Sequence, residues 1–176
     1  MKMAELGARL AGVPDAEVGR GALHPELPDP AVGARVDEFI ENYPALLGDS
    51  CYVDFLRLFG GAAIERERAD GGADLVTILG FNDVTMDMLE MDGPVVEDGF
   101  LVFANCVYHR YRDSQLDTYE YDFAFDVSGT RKPGVYRYES TPRNTDQPFI
   151  WHASDFCAWL EELTERNGVY ERPAFE

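Results

Sequence analysis

The sequence predicts an α+β fold, with an antiparallel or mixed sheet of about five to six strands and helices from both ends of the chain packed on it. Three patterns carry this expectation. Val32, Val36, Phe39, Ile40 and Tyr43 recur at helical spacing. Tyr119, Tyr121, Phe123, Phe125 and Val127 alternate with Glu120, Asp122, Ala124 and Asp126 at period two, as along a half-buried strand. Helical spacing returns near the end with Phe156, Trp159, Leu160 and Leu163. A chain of 176 residues, 45% apolar and 12% aromatic, has the length and material for one core. Residues 1–30 read as an N-terminal extension and residues 31–176 as a single domain.

Taken in order, Met3, Leu6 and Leu10 mark a short helix, followed by a loosely ordered Gly/Pro-rich connector through Pro14, Pro25, Pro28 and Pro30. The helix from Ala31 stops at Pro44. Asp49 or Ser50 caps a second helix with Tyr52, Phe55, Leu56 and Phe59 on one side and Gly60-Gly61 at its exit. A charged loop over residues 65–74 then leads to the β-branched run Leu75 to Leu79, a buried strand. Phe100 to Ala104 reads as a central strand, apolar on both faces, ahead of the alternating strand 119–127. Turn residues at Ser128-Gly129 and Lys132-Pro133-Gly134 precede strands at Val135 to Tyr138 and Phe149 to Trp151. Ser154 caps the last helix, with Asp155 in its first turn and Asn167-Gly168 at its end.

Charge bounds the partners. With 33 acidic against 15 basic residues the formal net charge is −18, a field that repels phosphate backbones and anionic lipid while attracting cationic surfaces. Direct nucleic-acid and membrane binding are disfavoured, and a basic protein is the natural partner. The N-terminus lacks the apolar stretch of a secretion signal, because Gly7, Arg9, Gly12, Pro14 and Asp15 interrupt it. Cys51, Cys106 and Cys157 are odd in number and widely spaced, so a disulfide framework is not expected, and the chain reads as cytoplasmic and reduced.

No catalytic, metal or cofactor site is legible. His24, His109 and His152 stand apart, and neither a zinc nor an EF-hand spacing occurs. The glycines form no dinucleotide or phosphate-binding fingerprint. Cys106, His109 and Asp113 have the residue types of a nucleophile, base and orienting acid, which would make a small hydrolase only if the thiol and imidazole met in a cleft. What stands out is eleven acids against two bases between Asn82 and Asp126. If the segment 82–99 lies beside the polar side of strand 119–127, then Asp83, Asp87, Glu90, Asp92, Glu97, Asp98, Glu120 and Asp122 form one anionic, partner-binding patch. Tyr108, Tyr111 or Tyr119 would anchor the partner.

Several stretches, in order, resemble the SUKH superfamily of Smi/Knr-type proteins: Tyr52 to Gly61, Asp98 to Ala104, Tyr121 to Gly129, Gly134 to Tyr136 and Ser154 to Leu160. The resemblance runs from about Ala31 to Arg166, with the N-terminal extension and an insert from Asn105 to Thr118 as departures that leave strand pairing there open. It implies an α+β fold with helices on one side of the sheet. It also implies inhibition by binding, as an immunity protein occupying a cognate toxin, often a nuclease or deaminase. A regulatory scaffold that binds a signalling or cell-wall factor is the other role the family implies.

Overall fold

The computed structural model describes residues 2–81, 96–139 and 149–170, and for 96 and 97 the backbone alone. Its helices are α1 (Lys2–Ala11), α2 (Pro30–Asn42), α3 (Ser50–Phe59) and α4 (Phe156–Glu165), with a 3₁₀ turn at Pro44–Gly48. Its strands are β1 (Ala16–Val18), β2 (Ala62–Glu67), β3 (Ala73–Ile78), β4 (Val96–Glu97), β5 (Phe100–Arg112), β6 (Gln115–Asp126), β7 (Val135–Glu139) and β8 (Ile150–Ala153). They form one antiparallel sheet in the order β1-β2-β3-β5-β6-β7-β8, with β4 also paired to β5. The α+β expectation holds, and the sheet is larger than the five to six strands expected. Part of the surplus is β2, taken as the start of a charged loop. Ala62 and Ile64 are buried and Glu65 and Glu67 exposed, but Arg66 turns to the buried side and hides the alternation.

Local chemistry explains the helices. Asp29 accepts the Ala31 amide at 3.0 Å and Pro30 opens α2. Asp49 accepts Tyr52 N at 3.2 Å to cap α3, which exits through Gly60 at φ 71°. Asp155, and not Ser154, caps α4, accepting Ala158 N at 2.7 Å. The second carboxylate oxygen of Asp49 also accepts Phe156 N at 2.7 Å, so one side chain holds the starts of α3 and α4 together. Burial pushes the Asp49 carboxyl above its ordinary range, against the pull of the Phe156 and Tyr52 amides.

The four described helices cover one side of the sheet. Tyr52, Phe55, Phe156 and Trp159 meet Phe103, Phe123 and Phe125 in a continuous aromatic core, each ring contributing about 1.5–3 kcal/mol by burial. The short helix expected from Met3, Leu6 and Leu10 forms as α1, but the connector after it is not loose. Met3, Leu6, Leu10 and Val13 are buried in that core, and β1 pairs with β2. The connector is tied to the end of α3 through Gly21 N to Leu58 O and Leu23 N to Arg57 O.

The stretch from Asn105 to Thr118 is the outer half of a long β5–β6 hairpin, paired from Asn105 with Asp122 to Arg112 with Gln115. Asp113 and Ser114 turn it with φ of 48° and 65°, the handedness a two-residue hairpin turn requires. A register shift between Val102 and Ala104 is a β-bulge. Beyond it, Cys106, Tyr108 and Arg110 face the helices, and Asn105, Val107 and His109 face the opposite side.

At the far end of the core, Asp74 is fully buried and meets Arg110 at 2.8 Å, Arg66 at 3.3 Å and Arg68 at 3.5 Å. Arg66 also donates to the carbonyls of Pro14 and Asn167, tying both termini to the sheet.

The expectation of unlinked cysteines is overturned: Cys51 and Cys157 form a disulfide with a Cα–Cα distance of 5.6 Å. Sequence spacing conceals this pair because the two are 106 residues apart and meet where the Asp49 cap and the contacts of Tyr52 and Phe55 with Phe156 join α3 to α4. Reducing this bond releases a long loop in the unfolded chain and lowers unfolding stability by about 4 kcal/mol, read as a shifted urea midpoint. Replacement of Asp74 by Ala leaves three guanidinium groups around an empty centre and costs about 3–5 kcal/mol in the same measurement.

Candidate functional site

The side of the sheet opposite the helices is where the sequence-predicted acids of β6 appear. Strand register lays its residues in rows. Glu65, Leu75, Val107 and Glu120 form one row across β2, β3, β5 and β6; Ala63, Thr77, Asn105 and Asp122 form the next; Glu67, Ala73, His109 and Thr118 form a third. Neighbouring strands lie about 4.8 Å apart, so Glu65 and Glu120 sit about 14 Å from each other with Leu75 and Val107 between them. Leu75, Thr77 and Val107 are half-buried, and Glu65 and Glu67 are exposed. The result is a short apolar strip with carboxylates along both edges.

Asn105 organises one edge. Its Nδ2 donates to Asp122 at 2.8 Å and to Glu120 at 3.1 Å, holding two carboxylates side by side on the face. At the hairpin tip Tyr111 pairs with Leu116, and both are about half exposed, at 51% and 50%. The other end of this face is closed by a small cluster of Phe100, Ala124 and Tyr136, with Phe149 stacked on Phe100 at 4.3 Å. Arg131 lies over Phe100 at 4.3 Å and Lys132 over Trp151 at 3.3 Å, so basic groups gather at that closed end. Asp126 is held there by Ser128 and Arg131. Burial alone would raise its pKa, but the hydrogen bonds and the Arg131 charge keep it below the ordinary carboxylate range.

The predicted patch is therefore placed in part. Glu120 and Asp122 come together through Asn105. Asp98 is exposed at a turn with φ 50°, its carbonyl accepting Arg131 Nη1 at 3.1 Å, near the closed end and apart from that pair. Glu97 lies in β4 with its backbone paired to Phe100. Asp83, Asp87, Glu90 and Asp92 lie outside the described residues. Glu65, Glu67 and Asn105 are additions to the predicted patch, since the first two read as part of a charged loop and the third as part of an insert whose strand pairing the sequence leaves open.

Of the three tyrosines named as anchors, Tyr108 is fully buried and takes no part in a surface. Its hydroxyl donates to Gly168 O at 3.1 Å and accepts Tyr170 N at 2.8 Å. Tyr111 is exposed and Tyr119 half-buried. Cys106 and His109 do not meet. They point to opposite faces, and burial pushes the Cys106 thiol up to about 12. His109 bonds Thr118 at 3.0 Å instead, and Asp113 is in the hairpin turn.

Converging ionisable groups do occur on the helix side, at the C-terminal end. Tyr170 donates to Glu162 at 2.6 Å, His152 Nε2 lies 3.1 Å from the same carboxylate oxygen and also contacts the Tyr170 hydroxyl, and Arg166 pairs with the other oxygen at 2.9 Å. Arg166 also donates to Tyr170 O at 2.6 Å. These bonds run from one side chain to the next and hold residue 170 against β8 and α4. Burial pushes the Tyr170 hydroxyl far above its ordinary range, and the Glu162 carboxylate adds to the effect. Burial would raise Glu162 as well, but the bonds from Tyr170 and His152 and the Arg166 charge bring it below 4.5.

No helix among the described residues is long and apolar enough to cross a membrane. Compared with models of protein families, with curated proteins and with solved structures, the chain matches none of them.

The Glu162 arrangement has a definite pH signature. A carboxyl depressed in the folded state contributes stability above its unfolded pKa, near 4.5, and loses it as pH falls through the lower folded value. Wild type should exceed the Glu162→Gln variant by about 1 kcal/mol at pH 7, and the gap should close in acid when urea midpoints are compared across pH.

Proposed function

We propose that the chain is a non-enzymatic binding protein that holds a basic partner protein against the side of its sheet opposite the described helices. The observation that carries this reading is the row Glu65, Leu75, Val107 and Glu120, with Glu67 and Asp122 beside it. An apolar centre excludes water from a contact while a charged rim selects the partner's sign and speeds encounter. Tyr111 and Leu116 at the hairpin tip add exposed apolar area to the same face. The acids Asp83, Asp87, Glu90, Asp92, Glu97 and Asp98 belong to the same proposal as a source of longer-range attraction.

The resemblance to SUKH proteins supports a more specific form, in which the partner is a toxin and the chain is its immunity protein. A nuclease toxin grips phosphate with basic residues, and an acidic face engages that surface in place of the substrate. The net charge of −18 favours such a partner. This reading puts the chain in the cytoplasm, where the toxin would act.

Co-purification from the native host identifies the partner, and purified components then test the mechanism. Reversing two acids together, as Glu65→Lys with Glu120→Lys, should slow association about tenfold at low salt and matter little at high salt. Association that ignores both ionic strength and the reversals sinks the electrostatic reading and favours apolar docking of a regulatory factor.

A further inference from the structure

We propose that Cys51, Cys157 and Asp155, once the disulfide is reduced, form a site for a thiophilic divalent cation such as Zn²⁺. The inference goes beyond the binding role and stands independently of it. The two sulfurs and an Asp155 carboxylate oxygen all lie within 4.8 Å of one another. Tetrahedral zinc holds thiolates at about 2.3 Å, which separates two sulfurs by about 3.8 Å. With Cα atoms already 5.6 Å apart, rotating the two side chains opens the bond to that separation while the backbone stays in place.

The helix starts have a second tie besides the sulfur–sulfur bond. Asp49 accepts Tyr52 N and Phe156 N through bonds that involve neither sulfur, and so ties the first turns of α3 and α4 together. Asp155 is oriented by the Ala158 amide on Oδ1, and its Oδ2 meets the Ser154 hydroxyl at 3.5 Å. Cys157 is buried, while Cys51 and Asp155 are partly exposed, so an ion enters from their side.

Charge selects the ligand. Reduction by a dithiol or phosphine converts the disulfide to two thiols, with the reductant oxidised by the same two electrons. Those thiols then stand beside the carboxylates of Asp49 and Asp155, where ionising both would concentrate like charge. A dication removes that obstacle: it binds as Zn(S⁻)₂(O₂C), the two thiol protons leave to solvent, and water completes the tetrahedron. Both cysteines lie in the first turn of a helix, where the helix dipole adds positive potential beside bound thiolates. Soft sulfur selects Zn²⁺ over Mg²⁺ or Ca²⁺, which take oxygen ligands.

Cobalt(II) reports tetrahedral thiolate coordination through its visible bands and suits the test. The chain is reduced with a phosphine, freed of reductant under argon and titrated with Co²⁺. One equivalent should produce thiolate-to-cobalt absorption that Zn²⁺ displaces, with the near-ultraviolet circular dichroism of a folded chain retained. The oxidised chain should stay colourless, Cys106→Ala should behave as wild type, and Asp155→Asn should bind more weakly by at least about tenfold. The proposal fails if the reduced wild type stays colourless, if bands appear only with loss of the folded dichroism, if Cys106→Ala abolishes them, or if Asp155→Asn binds as tightly. The wild-type comparison between reduced and oxidised chain needs no substitution, so a variant that misfolds does not decide the outcome.

Discussion

The bulge at Phe103 is the constraint from which the two faces of the sheet follow. On β6 the pleat is unbroken: Tyr121, Phe123 and Phe125 turn to the helices and Glu120, Asp122 and Ala124 turn away. On β5 the parity changes. Phe100 and Val102 lie on the outer side with Ala124, while beyond the bulge it is Asn105, Val107 and His109 that do so. An uninterrupted strand would carry Asn105, Val107 and His109 into the aromatic core and put Cys106, Tyr108 and Arg110 outside, because a one-residue slip exchanges faces. Asn105 would then leave Glu120 and Asp122, and Arg110 would leave Asp74. Both the buried ion cluster and the candidate face thus hang on one extra residue, held in place by the stacking of Phe103 on Phe125 at 4.4 Å and by Tyr52 and Trp159 against it.

The placement of cations makes the candidate face more anionic than net charge alone implies. Arg66, Arg68 and Arg110 converge on Asp74, Arg166 is held by Glu162, and Arg131 and Lys132 lie over aromatic rings at the closed end. These bases neutralise acids of the interior or decorate one corner. The Arg110 Nη2 contact with Asp74 is short but not aligned as a hydrogen bond, so attraction there is ionic. Burying an unpaired carboxylate would be prohibitive, and a cluster of guanidinium groups is what makes Asp74 tolerable in the core. Its basic partners thus stay inward while Glu65, Glu67, Glu120 and Asp122 remain on the opposite side of the sheet.

What the sequence revealed and concealed has a physical pattern. Helical and period-two spacing survive wherever one side of an element is buried, and so α2, α3, α4 and β6 were legible from apolar residues alone. β2 was not, since Arg66 occupies a buried position for the sake of Asp74, 8 residues away in sequence. The bulge at Phe103 has no signature, because aromatic and aliphatic residues on both sides of it suit either face. Tyr108 reads like a surface anchor by residue type, yet its hydroxyl is satisfied inside by Gly168 and Tyr170. The disulfide is invisible for a similar reason: proximity comes from a shared cap, and local spacing does not encode which two helices one aspartate will serve.

That shared cap sits on the opposite side of the sheet from the anionic strip, and one set of rings joins them. Tyr52 follows Cys51 in the first turn of α3 and touches Phe103, Phe125 and Phe156, while Phe156 precedes Cys157 in α4. A displacement of either helix start therefore presses first on Phe103, the residue that sets which side chains β5 presents outward. Close packing transmits such a displacement, because a core at crystal-like density has no slack to absorb it. Asp49 opposes it: two backbone amides on one carboxylate hold the helix starts in register through bonds that involve neither sulfur. The candidate face is thereby braced against movement at the cysteine pair, because the two helix starts are tied by a carboxylate cap as well as by sulfur.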